Sequence, residues 1–114
     1  MSLVDKKLVE SLIAFKRSEY DKVVTLSQQV LELEPTNLTA LNRLGSALYA
    51  LRDYEKAAQV WEKAHELETD ENRRTLIKRF IDRANERVKA KEGTKTQAPE
   101  PAPAPAEGEP APTP

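Results

Sequence analysis

His65 is the single histidine of the chain, and Glu62, Glu66 and Glu68 stand beside it in sequence. An imidazole among carboxylates is raw material for general acid–base chemistry or for metal ligation, but both need further groups held in place. With no cysteine, neither a disulfide framework nor a thiolate metal set is available. One histidine alone cannot complete a structural zinc site, and no oxygen-ligand loop of the calcium type is present. Glu62 and Glu66 are four residues apart on one helical face, the spacing of surface charges paired with Lys63 or Lys56. The glycines, Gly45, Gly93 and Gly108, are too widely spaced for a phosphate-cradling loop. Hydroxyls are plentiful, but a nucleophile needs a positioned base and a group to orient it. The chain is therefore read as non-catalytic, with no metal site and no cofactor.

The remaining chemistry is charge. Net charge is −1 over 114 residues, an average that conceals a gradient. Residues 1–72 carry 9 basic and 13 acidic side chains, net −4; residues 73–91 are net +6; residues 92–114 are net −3. Within the basic stretch, Arg79, Arg83 and Arg87 recur every four residues, a row of cations along one side of a helix. This basic surface suits an acidic partner. It equally suits a solvated face balanced by Asp82 and Glu86 and by the helix dipole. No exposed aromatics interleave with the cations and the rest of the folded body is acidic, which argues against nucleic acid.

These residues must be positioned by helices, and the helices repeat. Tyr20 returns as Tyr54, Val23 as Ala57, Val30 as Ala64 and Leu33 as Leu67, an offset of 34 residues. A helical unit of that length cannot bury its apolar face alone and must stack. Five helices are expected, running from about Leu3 to Lys16, Asp21 to Glu34, a Thr36 or Asn37 cap to Leu51, Tyr54 to Glu68, and Glu71 to Lys91. Ser18 and Asp21 have capping-box spacing. Pro35 stops the second helix. Asp53 can cap the fourth helix, and Thr69 or Asp70 the fifth. Leu41, Leu44, Gly45 and Leu48 make the buried stripe of the third. Gly45 costs about 1 kcal/mol of helix propensity, so a neighbouring helix is expected to approach closely there. Ala57, Val60, Trp61 and Ala64 alternate large and small opposite that stripe, and the short loops make each pair antiparallel.

Leu41-x2-Leu44-Gly45-x2-Leu48, followed by Tyr54-x2-Ala57-x3-Trp61-x2-Ala64, resembles the tetratricopeptide repeat signature, W-x2-L-G-x2-Y then A-x3-F with a closing Pro. Thr69 stands where the closing Pro belongs, although the first repeat does have Pro35. The resemblance covers about 90 residues and is stronger in the second repeat. It implies an all-α fold in which antiparallel helix pairs stack as a short right-handed α-solenoid. Repeat one spans about 4–37 and repeat two about 38–71, with a capping helix at about 71–91. The helical domain is placed at residues 1–92. Residues 93–114, rich in Pro and Ala, lack the apolar groups to offset ordering entropy and are read as a disordered tail.

What the resemblance implies about function is protein–protein binding, a scaffold taking a peptide or helix of a partner in the concave groove of its inner helices. Carried over by the 34-residue period, the groove rows are Leu8, Asn42 and Leu76; Leu12, Ser46 and Phe80; Phe15, Tyr49 and Arg83; with Arg73 flanking them. The family's clamp for acidic C-termini needs Lys and Asn on the first groove helix, and Leu8 and Leu12 occupy those positions here. The clamp is therefore not expected. The first helix also departs from the pattern, with Lys7, Glu10 and Ser11 where Leu41, Leu44 and Gly45 recur. Its apolar set, Leu8, Val9, Leu12, Ile13 and Phe15, allows a homo-oligomer interface as the alternative function, beside an electrostatic adaptor using the basic fifth helix. No run approaches the roughly 20 apolar residues that span a bilayer, and the start lacks a secretory signal pattern. A cytoplasmic setting is the default expectation; a periplasmic or membrane-associated one applies if the chain belongs to a longer protein.

Overall fold

Ser2 begins the first helix by accepting the Asp5 N–H on its hydroxyl at 3.1 Å, and the same logic starts most of the elements that follow. The computed structural model describes residues 2–93, with side chains up to residue 90. It holds α1 (Leu3–Lys16), α2 (Tyr20–Leu33), α3 (Leu38–Ala50), α4 (Tyr54–Leu67) and α5 (Glu71–Gly93), and no strand among the described residues. Of the expected tail, Gly93 is the last residue of α5 and the remainder lies outside the described residues. Asn37 accepts the Ala40 N–H at 2.9 Å, Asp53 that of Lys56 at 3.4 Å and Asp70 that of Arg73 at 2.9 Å. Each satisfies a backbone donor that a helix start leaves open. Ahead of Pro35, Glu34 ends α2 by leaving helical backbone, φ −135° and ψ 86°.

The turns within the two helix pairs share one design. Ser18 and Arg52, one period apart, both adopt left-handed backbone, φ 61° and 67°. Around the first, Ser18 N–H donates to Phe15 C=O at 3.0 Å and Glu19 N–H to Ala14 C=O at 2.9 Å. Around the second, Arg52 N–H donates to Tyr49 C=O and Asp53 N–H to Leu48 C=O, both at 2.9 Å. These are paired Schellman closures, built here without glycine. Ser18 therefore ends α1 and does not cap α2, contrary to its capping-box spacing. The N-cap of α2 is Glu19, whose side chain makes no capping bond.

Each helix packs on the next, and α3 also touches α1, so the chain is an all-α stack of antiparallel helix pairs closed by α5. The main core joins Leu41, Leu44, Leu48 and Tyr49 of α3, Ala57, Trp61 and Ala64 of α4, and Ile77, Ile81 and Ala84 of α5. Trp61 is completely buried, its indole directly over Gly45. A Cβ on Gly45 would stand 2.4 Å from Trp61 Nε1, so the absent side chain is what lets α3 and α4 close. A smaller cluster of Ala14, Val23 and Ala47, with Phe15 and Tyr20 against it, joins the first pair to the second.

Candidate functional site

The inner helices α1, α3 and α5 bring the three expected rows into the folded body at different depths. On α3, Asn42, Ser46 and Tyr49 are all buried. On α1, Leu8, Leu12 and Phe15 are half-buried. On α5, Leu76 is 37% exposed, Arg83 is exposed, and Phe80 is buried. The aromatic contacts explain the difference. Tyr49 meets Tyr54 edge-on, centroids 5.0 Å apart, and leans on Trp61 at 5.9 Å. Phe80 reaches the same indole at 5.1 Å. One period earlier, Phe15 meets Tyr20 edge-on at 5.7 Å, but there Ser27 replaces the tryptophan, and Phe15 keeps part of its ring in solvent. The accessible part of the rows is thus Leu8, Leu12 and Phe15 at one end and Leu76 and Arg83 at the other, while Asn42, Ser46 and Tyr49 are buried.

Two polar anchors hold these inner helices, and the sequence hides both. Arg43, buried on α3, donates to the Leu8 carbonyl and, at 3.0 Å, to Ser11 Oγ. The Ser11 hydroxyl donates a hydrogen bond to the same carbonyl at 2.7 Å. A guanidinium thus pins α3 to the backbone of α1. The second anchor is Glu68, 4% exposed. Its carboxylate accepts the N–H groups of Thr69 at 3.0 Å and Asp70 at 3.1 Å, and Arg73 Nε at 2.9 Å. Burial pushes the pKa of Glu68 up. The hydrogen bond and charge of Arg73 and the two backbone donors outweigh it, and the net direction is down. Arg73, the expected flank of the groove, is therefore committed to fixing the entry of α5, and its own pKa is raised by the hydrogen bond it donates to the Glu68 carboxylate. Arg74 joins them through the Glu68 carbonyl at 3.3 Å.

The three arginines of the basic surface lie along α5 at different depths. Arg79 lines an open cleft of about 290 Å³ with His65, Glu71, Arg74, Thr75 and Lys78. Arg83 is exposed, whereas Arg87 is half-buried. Lys78 pairs with Asp82 at 3.3 Å. His65 is half-buried at the edge of that cleft, and among the described residues no three His, Asp or Glu side chains converge as a metal would require. No helix among them is long and apolar enough to cross a membrane.

Two helix pairs related by one sequence period, closed by matching turns and sealed by a final helix, define a helical-repeat protein. Residues 39–70 match the family model described as Tetratricopeptide repeat, and the five-helix stack around that segment is consistent with the all-α solenoid that such repeats build. Repeats of this family generally mediate protein–protein interaction and are generally non-catalytic.

Proposed function

We propose that this chain is a binding scaffold without chemistry of its own, which takes a peptide or helix of a partner protein along the concave side of α1, α3 and α5. What supports the reading is the depth profile of the rows. Leu8, Leu12 and Phe15 at one end and Leu76 at the other keep apolar surface open, while the α3 positions between them are buried. Apolar side chains held part-open on a preordered frame are what a partner helix can desolvate at little entropic cost. Arg83 adds an exposed cation at one rim, which favours a partner carrying a carboxylate there.

Tyr49 belongs to the aromatic core, so the reading is best tested at residues whose loss leaves that core intact. Leu76→Asp combined with Arg83→Glu meets the condition. Both chains would be compared by circular dichroism for equal helicity and then used as baits in lysate of the source cells, with mass spectrometry of the captured proteins. Partners retained by the wild type and lost by the variant are the expected result. Identical lists from the two baits would reject the concave face as the binding surface.

A further inference from the structure

One side of α3 is more deeply buried than its neighbouring helices explain. Leu41, Leu44, Gly45 and Leu48 turn to α4 and the main core, and Arg43 and Ala47 turn to α1 and α2. With about 3.6 residues per turn, roughly 160° of helix surface separates Gly45 from Arg43. Asn42 and Ser46 lie in that arc and belong to neither core cluster. α3 packs on α2 and α4 and touches α1, chiefly through residues outside it. Yet Asn42 is 1% exposed and Ser46 0%, whereas the larger Leu8 and Leu76, one period either side of Asn42, keep exposed surface. Ser46 Oγ also has no hydrogen-bond partner among the described residues. A buried hydroxyl is normally paired, so an acceptor from outside the five helices is called for on this concave side.

The chain itself carries a segment of the right reach and chemistry. α3 and α5 are both antiparallel to α4, so they run the same way, and Gly93 lies beyond the Tyr49 end of the groove. From Arg83 to Gly93, α5 rises about 15 Å, which an extended chain at about 3.1 Å per residue retraces in roughly five residues. That return brings Ala98-Pro99-Glu100-Pro101-Ala102-Pro103-Ala104 alongside α3. Small Ala and Pro side chains fit between the apolar walls of α1 and α5. Proline has no N–H, so this backbone offers mainly carbonyls, the acceptors that Ser46 lacks, in a form preset for extended binding. Charges of both signs border the groove, but they are segregated. Lys16, Arg83 and Arg87 stand at the end where the segment enters, with Glu86 on the same turn of α5, and Asp5 and Asp70 stand at the far end. Glu100 arrives at the basic end. We infer that residues 98–104 lie along the concave side of α3 as a tethered occupant, Glu100 beside Arg83, and that a partner must displace them. The inference rests on the concave face being the binding surface. Tethering sets an effective concentration on the order of millimolar, so weak partners would be turned away.

The test uses the full chain. It has no cysteine, so Ala104→Cys accepts a single nitroxide label. Paramagnetic broadening, referenced to the ascorbate-reduced label, should lower the amide signals of Leu8, Asn42 and Ser46 at least twofold. Gln28 and Gln59, exposed on α2 and α4, should be spared. Glu100→Lys or Arg83→Glu in the labelled chain should restore most of the lost signal, and the two together should bring the broadening back. Weak, even broadening over all helices would overturn the proposal, as would selective broadening of another face, such as that of Val9 and Ile13. Broadening of an isotope-labelled, cysteine-free chain by a spin-labelled one mixed with it would assign the segment to a second copy and overturn it too. Partner capture by the Leu76→Asp/Arg83→Glu bait reads the groove independently, so the failure of one reading is distinguishable from that of the other.

Discussion

Gly45→Ala sets two physical effects against each other, and the structure decides between them. Helix propensity alone favours alanine in the middle of α3 by about 0.8–1.0 kcal/mol. Against this, the new Cβ would meet three indole atoms of Trp61, Nε1 at 2.4 Å, Cδ1 at 2.6 Å and Cε2 at 2.7 Å. Comfortable carbon contacts lie at about 3.5–4.0 Å, so the ring must retreat by roughly 1 Å. It has nowhere easy to go, because Trp61 is fully buried between Tyr49 and Phe80, at 5.9 and 5.1 Å. Overpacking of a filled core costs about 1–3 kcal/mol. A rigid ring struck by its face belongs at the upper end of that range, which leaves a net loss of about 2 kcal/mol after the propensity gain. For a domain of this size that is a fall of roughly 8–16 °C in melting temperature. Urea and thermal unfolding followed by far-UV circular dichroism would measure it. Trp61, the sole tryptophan, provides an independent fluorescence signal of the indole's surroundings. In a Trp61→Leu background the clash is gone, and Gly45→Ala should become stabilising by about 1 kcal/mol. A single variant Gly45→Ala as stable as the wild type, or more so, would refute the argument that close helix approach is the reason for the glycine.

Other perturbations probe the turns and the anchors. Ser18→Gly and Arg52→Gly each place the residue suited to left-handed backbone at a Schellman closure, and each should raise stability by about 1 kcal/mol, read as a shift of the urea midpoint at constant slope. Glu68→Gln should lower the melting temperature at pH 7. Because the folded-state pKa of Glu68 lies below its ordinary value of 4.5, its contribution is complete above that pH and is lost as the pH falls through the depressed folded pKa. The gap between wild type and Glu68→Gln melting temperatures should therefore be constant near neutrality and narrow below about pH 4.5. Arg43→Ala removes the guanidinium that α1 carbonyl and hydroxyl groups accept from, and should cost about 2 kcal/mol in urea unfolding.

Local signals carried much of this fold in the sequence. Asn37, Asp53 and Asp70 announce helix starts because a cap works through its own side chain and the next three residues, so tertiary context hardly enters. Gly45 was equally legible, since an unfavoured residue inside a strong apolar stripe needs a packing reason. Ser18 misled because its spacing to Asp21 satisfies a capping box, while the decisive fact is backbone handedness, which serine does not advertise. The one available signal was that Ser18 and Arg52 occupy the same place in both repeats. Glu68 reads as the last of several surface glutamates beside Glu62 and Glu66; only the fold of α5 back over it, with Arg73, makes it a buried anchor. Arg43 is similar, a cation on a helix whose burial depends on α1 arriving above it. In the candidate site, the period names the three rows but carries no information on depth. Depth was set by the Trp61 ring, which draws Tyr49 and Phe80 toward it in the second repeat and has no counterpart in the first.

From Ala40 through Tyr49, every residue of α3 is buried, and α3 packs on α2 and α4 and also touches α1. Such a helix cannot open without separating most of the molecule, whereas α1 and α5 each border solvent along one whole side. In native-state hydrogen exchange, the amides of α3 should therefore exchange only through global unfolding, and those at the outer turns of α1 and α5 through smaller, cheaper openings. The scaffold is then a stiff axle with two yielding ends. A partner that seizes either end can pay for its fit by reshaping that end alone, leaving the centre of the stack undisturbed.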